Sequence, residues 1–121
     1  MQIKILVIED DADILYALEQ TLIMNGFSVL GLEDGDNIIA KIIDFRPDLV
    51  LSDYMLPGIN GGQICNLIKS TADICQIPVI LMSAYHKTAI ALANFKYDDY
   101  LPKPFENKVL LKQINKLIQG S

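Results

Sequence analysis

Residues 49–60 read LVLSDYMLPGIN, and this stretch decides how the chain is expected to fold. Three apolar residues come first, Ser52 and Asp53 follow them, and the Pro57–Gly58 pair then marks a turn. A short, continuous apolar run that ends in a turn is typical of a strand buried on both faces, as in a parallel sheet. Asp53 is therefore expected at the carboxyl end of a buried strand, which is an unusual place for a carboxylate.

Similar apolar runs recur along the chain and alternate with segments of helical spacing. Strands are predicted at Ile3–Ile8, Phe27–Leu30, Leu49–Leu51, Val79–Met82 and Tyr100–Leu101. Apolar stripes that indicate helices, and that are predicted to be core, are Ile14/Leu15/Leu18/Leu22, Ile38/Ile39/Ile42/Ile43, Ile64/Leu67/Ile68 and Leu110/Leu111/Ile114/Leu117/Ile118. A further helix is predicted over Thr88–Phe95. Five strand–helix units in succession predict an α/β fold, with an open parallel sheet that carries helices on both faces.

The composition limits the classes of protein to which the chain can belong. With 121 residues, a mean hydropathy of +0.30 and 51% apolar residues, it is long and apolar enough for one domain with its own core. The net charge is −5 and Arg46 is the only arginine, which argues against nucleic acid or a membrane surface as partners of this domain. Residues 2–8 (QIKILVI) lack the features of a signal peptide, so a cytoplasmic location is expected. Cys65 and Cys75 are expected to be reduced and mostly buried.

Charged and polar side chains follow four of the predicted strands. They are Glu9, Asp10 and Asp11 after the first strand, Asp53 after the third, Ser83 after the fourth, and Lys103 after the fifth, between two prolines. The carboxyl ends of parallel strands lie at one edge of the sheet, where ligands bind in folds of this kind. We therefore expect these groups to meet in a single crevice.

Several carboxylates in one crevice require a cation or shifted pKa values. Each like-charge pair at ~4 Å costs on the order of 4 kcal/mol at an effective dielectric constant near 20. Oxygen ligands with no Cys or His nearby suit a hard ion such as Mg²⁺, which also accepts phosphate oxygens. The hydroxyl of Ser83 and the ammonium of Lys103 would then surround a bound anion, an arrangement that suits phosphoryl transfer. Asp53 is the best candidate nucleophile because it stands apart from the acidic run.

Four motifs together resemble the receiver domains of response regulators, from Ile3 to about Ile118. The motifs are ILVIEDD (5–11), DLVLSDYMLPGINGG (48–62), PVILMSA (78–84) and DDYLPKPF (98–105). The resemblance implies a flavodoxin-like, doubly wound (βα)5 fold with five strands in the order 2-1-3-4-5. We expect the receiver domain to occupy residues 1–119, with 120–121 as a tail or an expression remnant.

The resemblance also implies a role for each residue of the crevice. Asp53 would be the phosphoacceptor, phosphorylated by a histidine kinase or a phosphotransfer protein. Asp10 and Asp53 would bind Mg²⁺ directly, together with the backbone carbonyl of Met55, while Glu9 would act through water. The domain would be no enzyme beyond promoting its own phosphorylation and dephosphorylation.

The remaining residues carried over by the resemblance connect the phosphoryl group to the surface. Ser83 would hydrogen-bond the phosphoryl group and Lys103 would form an ion pair with it, next to a cis Lys103–Pro104 bond. Tyr100 would be an aromatic switch that rotates inward as Ser83 moves. The face around Tyr100 would then control an unknown output partner or domain.

Three other functions compete with this interpretation. A degenerate receiver would act as an interaction module that needs no phosphorylation, but the complete set of Glu9, Asp10, Asp53, Ser83 and Lys103 argues against it. A flavodoxin-like electron carrier needs a hydroxyl- and glycine-rich phosphate loop after the first strand, where this chain has three acids. A phosphatase acting on other molecules would need a large substrate cap, and none is apparent.

Several single residues have simpler expected roles. Asp11 and Asn60 are expected to cap helices, and His86 is expected to be an exposed loop residue. Lys96 stands where the family often has glycine, so a left-handed backbone there would be costly. A bulky Tyr85 beside the site is predicted to slow hydrolysis of the phosphoryl group by screening it from water.

Overall fold

The predicted strands form one parallel sheet. The computed structural model describes residues 2–85 and 94–119. The strands are β1 (Lys4–Ile8), β2 (Ser28–Leu32), β3 (Leu49–Asp53), β4 (Val79–Ser83) and β5 (Asp99–Pro102), and each predicted end lies within two residues of the observed end. All neighbouring strands pair in parallel, in the order β2-β1-β3-β4-β5. The α/β class and the strand order implied by the resemblance are confirmed.

Helices cover both faces of this sheet. In the described ranges they are α1 (Ala12–Met24), α2 (Ile38–Phe45), α3 (Gly61–Lys69) and α4 (Asn107–Gln119). Helices α1 and α4 share one buried cluster and α2 and α3 share the other, so the sheet lies between two cores. Strands β3 and β4 are buried along their whole length, as their continuous apolar runs predicted. Across the same ranges, no helix has both the length and the apolar composition needed to cross a bilayer.

The predicted apolar stripes are wider than the surfaces that the helices bury. Ile14, Ile43 and Leu67 were expected in the core, but their exposed fractions are 42%, 42% and 39%. Each is followed or preceded in its helix by a residue that is buried against the sheet, respectively Leu15, Ile42 and Ile68. Adjacent residues of an α-helix point about 100° apart, so a helix lying on a flat sheet buries only one of such a pair.

Side-chain caps begin two of the helices at the carboxyl edge of the sheet. Asp11 accepts hydrogen bonds from the backbone N–H groups of Asp13 and Ile14, at 2.9 and 3.0 Å, and so caps α1. Asn60 and Gln63 form a reciprocal capping box at the start of α3, with distances of 2.8 and 2.9 Å. Both predicted caps are confirmed, and both fix helix starts beside the strand ends that carry the acids.

The segment before β5 departs from the expectation for Lys96. The left-handed residue is Asn94 (φ 60), and Lys96 does not have a positive φ. Asparagine tolerates this conformation better than most residues, so the expected strain at Lys96 is absent. Residues 88–93 of the helix predicted over Thr88–Phe95 lie outside the described residues, as does His86; Asn94 and Phe95 are not helical.

The two cysteines differ in their surroundings, and the expectation that both are buried is wrong for one of them. Cys65 is fully buried between α3 and the sheet, whereas Cys75 is exposed; neither forms a disulfide. Cys75 lies in the loop between α3 and β4, outside any regular element, and is exposed there. Burial raises the pKa of the Cys65 thiol to about 12.

We predict that N-ethylmaleimide at pH 8 modifies the native protein once, at Cys75. Cys65 should stay unmodified because it is inaccessible and because its raised pKa leaves almost no thiolate at this pH. Intact mass should show one adduct in buffer and two in concentrated urea. The Cys75→Ser variant is the control and should remain unmodified when native; rapid labelling of that variant would contradict the buried position of Cys65.

Candidate functional site

The register of the sheet places the predicted site residues side by side at its carboxyl edge. Ile8 pairs with Ser52, so Glu9 and Asp53 come directly after paired residues of β1 and β3. Ser83 is the last residue of β4 and pairs with Pro102, which precedes Lys103. The N–H of Lys103 donates to the carbonyl of Ser83 at 2.8 Å. The carboxyl ends of four strands thus form the crevice that the sequence predicted.

Three carboxylates meet in this crevice. Glu9, Asp10 and Asp53 each present an oxygen, and these oxygens lie within 4.8 Å of one another. Glu9 and Asp53 are almost fully buried, whereas Asp10 is exposed to solvent. A set of oxygen donors that is open on one side fits Mg²⁺, which keeps several waters and takes one or two carboxylates. Met55 lies two residues beyond Asp53 in the following loop and is 55% exposed.

Lys103 supplies the positive charge that faces these acids. Its Nζ lies 3.0 Å from Oε2 of Glu9 and 3.2 Å from Oδ1 of Asp53. The side chain is about one-fifth exposed (21%), so the two ion pairs are largely shielded from water. The Lys103–Pro104 peptide bond is cis, as the resemblance implied. One ammonium therefore bridges acids that come from two different strands.

Burial and these ion pairs shift the three pKa values. Desolvation raises the pKa of Glu9 and of Asp53 above the usual range, and the neighbouring Lys103 only partly offsets the effect. Desolvation alone would lower the pKa of Lys103, but the hydrogen bonds and charges of Glu9 and Asp53 outweigh it and raise this pKa. The ammonium is thus held charged. Any added positive charge would stabilise the ionised form of both buried carboxylates.

Ser83 and Tyr100 are linked through the backbone of Tyr85. The buried hydroxyl of Ser83 accepts a hydrogen bond from the N–H of Tyr85 at 2.9 Å, so its own proton is available to another acceptor. The hydroxyl of Tyr100 donates to the carbonyl of Tyr85. Tyr100 is 4% exposed, and its ring lies inward, against that of Tyr97.

Two features of the site were not found by sequence reasoning. The ring of Tyr54, next to Asp53, contacts that of Tyr85 edge-on, with centroids 5.6 Å apart. Gly61 was interpreted only as a helix-entry residue, but a Cβ there would lie 2.1 Å from the backbone oxygen of Asp53. The glycine pair at the start of α3 was the available signal for this close approach.

Comparisons with known proteins agree on one family. The family model for the response regulator receiver domain matches residues 5–115 of this chain. The response regulator MprA of Mycobacterium sp. (strain KMS) is 34% identical over an alignment of 121 positions, which covers 98% of this chain and 52% of that protein. The chain therefore spans about half the length of the curated relatives that it matches.

Solved structures of receiver domains superpose closely on the chain. The receiver domain of a signal transduction histidine kinase from Syntrophus aciditrophicus has a TM-score of 0.90 at 27% identity, and the match covers 97% of this chain and 90% of that one. The receiver domain of a sensor histidine kinase from Pseudomonas aeruginosa PAO1, which holds a magnesium ion in its active-site cleft, has a TM-score of 0.88 at 25% identity over all of both chains. With a family match over nearly its whole length, this chain belongs to the response regulator receiver domain family.

Proposed function

We propose that this chain is a phosphoacceptor switch of a two-component signalling system, with Asp53 as the phosphoacceptor. The observation that carries the proposal is the buried Asp53 carboxylate, 3.2 Å from the Lys103 ammonium and grouped with the oxygens of Glu9 and Asp10. A purely structural acid would not need two further carboxylates beside it, because each adds repulsion. A degenerate receiver used only for binding would have no use for this set.

The transfer step needs only a carboxylate and a phosphorylated histidine. An Asp53 oxygen attacks the phosphorus, a P–O bond forms, the P–N bond breaks, and the imidazole of a histidine kinase or phosphotransfer protein leaves with a proton on its nitrogen. Lys103 neutralises charge on the phosphoryl oxygens, and the hydroxyl of Ser83 donates to one of them. Asp10, Asp53 and the Met55 carbonyl would hold Mg²⁺, with Glu9 acting through water, and the bound ion would supply further positive charge.

The contacts of Ser83 offer a route from the site to the surface. The hydroxyl of Ser83 accepts from the N–H of Tyr85, so any shift of that hydroxyl toward a phosphoryl oxygen would act on Tyr85 as well. The carbonyl of Tyr85 in turn accepts from Tyr100, so movement of residues 83–85 changes the setting of that ring. Moving the equilibrium from 1:99 to 99:1 takes about 5.5 kcal/mol, which several charge-assisted hydrogen bonds could supply.

The remaining parts of the proposal concern the setting of the domain. Residues 1–119 would form the receiver domain, with 120–121 as a tail, and the protein would work in the cytoplasm. Its partners would be a histidine kinase or phosphotransfer protein on one side and an output partner or domain on the other. The names of its relatives, response regulators and histidine kinases, support this assignment.

We predict that acetyl phosphate and Mg²⁺ add one phosphoryl group to the protein, seen as a single increase in intact mass. The Asp53→Asn variant should not be modified, because an amide cannot act as the nucleophile. A chelator should suppress the modification of the native protein, because the acids then repel the phosphate donor.

The absence of added mass would have two explanations, which beryllofluoride separates. A change in tyrosine fluorescence with beryllofluoride and Mg²⁺ would indicate a competent site with rapid hydrolysis. No response to either compound would overturn the switch and leave the interaction module.

We predict that Lys103→Met destabilises the protein in the presence of a chelator. It leaves two nearly buried carboxylates without their cation, so the free energy of unfolding should fall by about 2 kcal/mol, less than for a fully buried pair because Lys103 is partly exposed. Urea unfolding measures the change, with Lys96→Met at an exposed lysine as the control. Adding Asp53→Asn to Lys103→Met should recover part of the loss; no recovery would contradict the electrostatic explanation.

We predict that Tyr85→Ala speeds the loss of the phosphoryl group from Asp53 by about threefold or more, roughly 0.6 kcal/mol in the barrier. The side chain of Tyr85 is held against Tyr54, the neighbour of Asp53, where it can screen attacking water. Intact mass followed over time after removal of the donor gives the rate. Tyr16→Ala removes an exposed tyrosine of α1 and should leave the rate unchanged; equal rates in the two variants would contradict the screening role.

A further inference from the structure

A stripe of three lysines runs along the outer face of α4. Lys108, Lys112 and Lys116 are exposed and follow one another at intervals of four residues, which places them on one side of the helix. The stripe is about 12 Å long, at a rise of roughly 1.5 Å per residue. The buried side of the same helix consists of Leu110 and Ile114. The lysines therefore take no part in packing the domain.

The fold does little to compensate these charges. Lys108 lies 3.5 Å from Glu106, but both side chains are mostly exposed, so the pair contributes little. Lys112 and Lys116 form no ion pair with any residue in the described part of the chain. Like charges spaced four residues apart disfavour a helix by a few tenths of a kcal/mol. The stripe is thus a small cost to the domain, in a chain whose net charge is −5.

The lysines also border a shallow, open surface. Together with Leu111, Asn115 and Gln119 they line a depression of about 720 Å³ that is open to solvent over most of its extent. Leu111 is partly buried and offers an apolar contact, while the two amides can donate or accept hydrogen bonds. A surface with an apolar contact beside spaced ammonium groups suits a segment that carries both carboxylates and apolar side chains.

We propose that this lysine stripe binds an acidic segment of a partner protein. The net charge of −5 repels a long polyanion such as nucleic acid, whose charges extend well beyond the stripe. A short acidic segment instead meets the lysines within the Debye length of about 10 Å, where local attraction outweighs the distant acids. Since the stripe contains none of the residues of the crevice, the proposal does not rest on phosphorylation of Asp53.

The test is fluorescence anisotropy with a labelled model peptide of about twelve residues, long enough as a helix to span the stripe. The peptide has Glu at every fourth position and carries Leu at positions between successive Glu residues. A matched peptide has Gln in place of each Glu. The protein variant is Lys112→Glu with Lys116→Glu. The control is Lys96→Glu with Arg46→Glu, which changes the net charge equally at exposed positions outside α4. Circular dichroism and thermal unfolding check that both variants are folded.

We expect the Glu peptide to bind the native protein more tightly than the Gln peptide, with an affinity that falls as salt is added. The variant in α4 should weaken this binding by roughly tenfold or more, and the control by much less. Equal binding of the two peptides, no binding at millimolar concentration, or equal losses in the two variants would each overturn the proposal. A labelled single-stranded oligonucleotide that bound more tightly than the Glu peptide would overturn it in favour of nucleic acid.

Discussion

The site depends on one ammonium group facing two carboxylates that the fold has removed from water. Lys103 reaches Glu9 and Asp53 from β5, although β5 does not adjoin β1 or β3. Neighbouring strands are about 4.8 Å apart, so the lysine must extend past the end of β4 to reach Asp53. Ser83 and Ala84, both small, stand at that end and leave room for it. The order of the strands, the small residues at the end of β4 and the long side chain of Lys103 therefore all serve one electrostatic constraint.

Much of this arrangement follows from the sequence, because strands and their ends are local features. Continuous apolar runs located all five strands, and the shared edge of a parallel sheet predicted that Asp53 and Lys103 would meet. The order of the strands came from the resemblance to receiver domains, since periodicity alone does not distinguish one parallel order from another. The widths of the helical stripes were overestimated, as Ile14 shows, because burial depends on how each helix is rotated against the sheet.

The features that the sequence did not reveal are contacts between separate segments of the chain and one local backbone conformation. Nothing near Tyr54 indicates that its ring meets Tyr85, and Asn94 could not be identified as the left-handed residue without the backbone. The same holds for Gly61, whose missing Cβ allows α3 to begin against the carbonyl of Asp53. All of these contacts lie near the end of β3 or β4 or in the approach to β5, where several segments converge and local pattern has the least power to predict.

The crevice and the lysine stripe differ in how a phosphoryl group would affect them. Phosphorylation adds about one negative charge at Asp53, because the carboxylate loses its own charge when the phosphoryl group is attached. Helix α4 is about 10 Å across and its outer face points away from the sheet, so salt largely screens the added charge there. Attraction of a partner to the stripe would then be nearly the same in both states of the switch. The face around Tyr100 has the opposite property, because it is tied to the crevice through hydrogen bonds rather than through the long-range field. A partner that used both surfaces would be held by a constant charge attraction, and its response to phosphorylation would come only from the contacts around Tyr100.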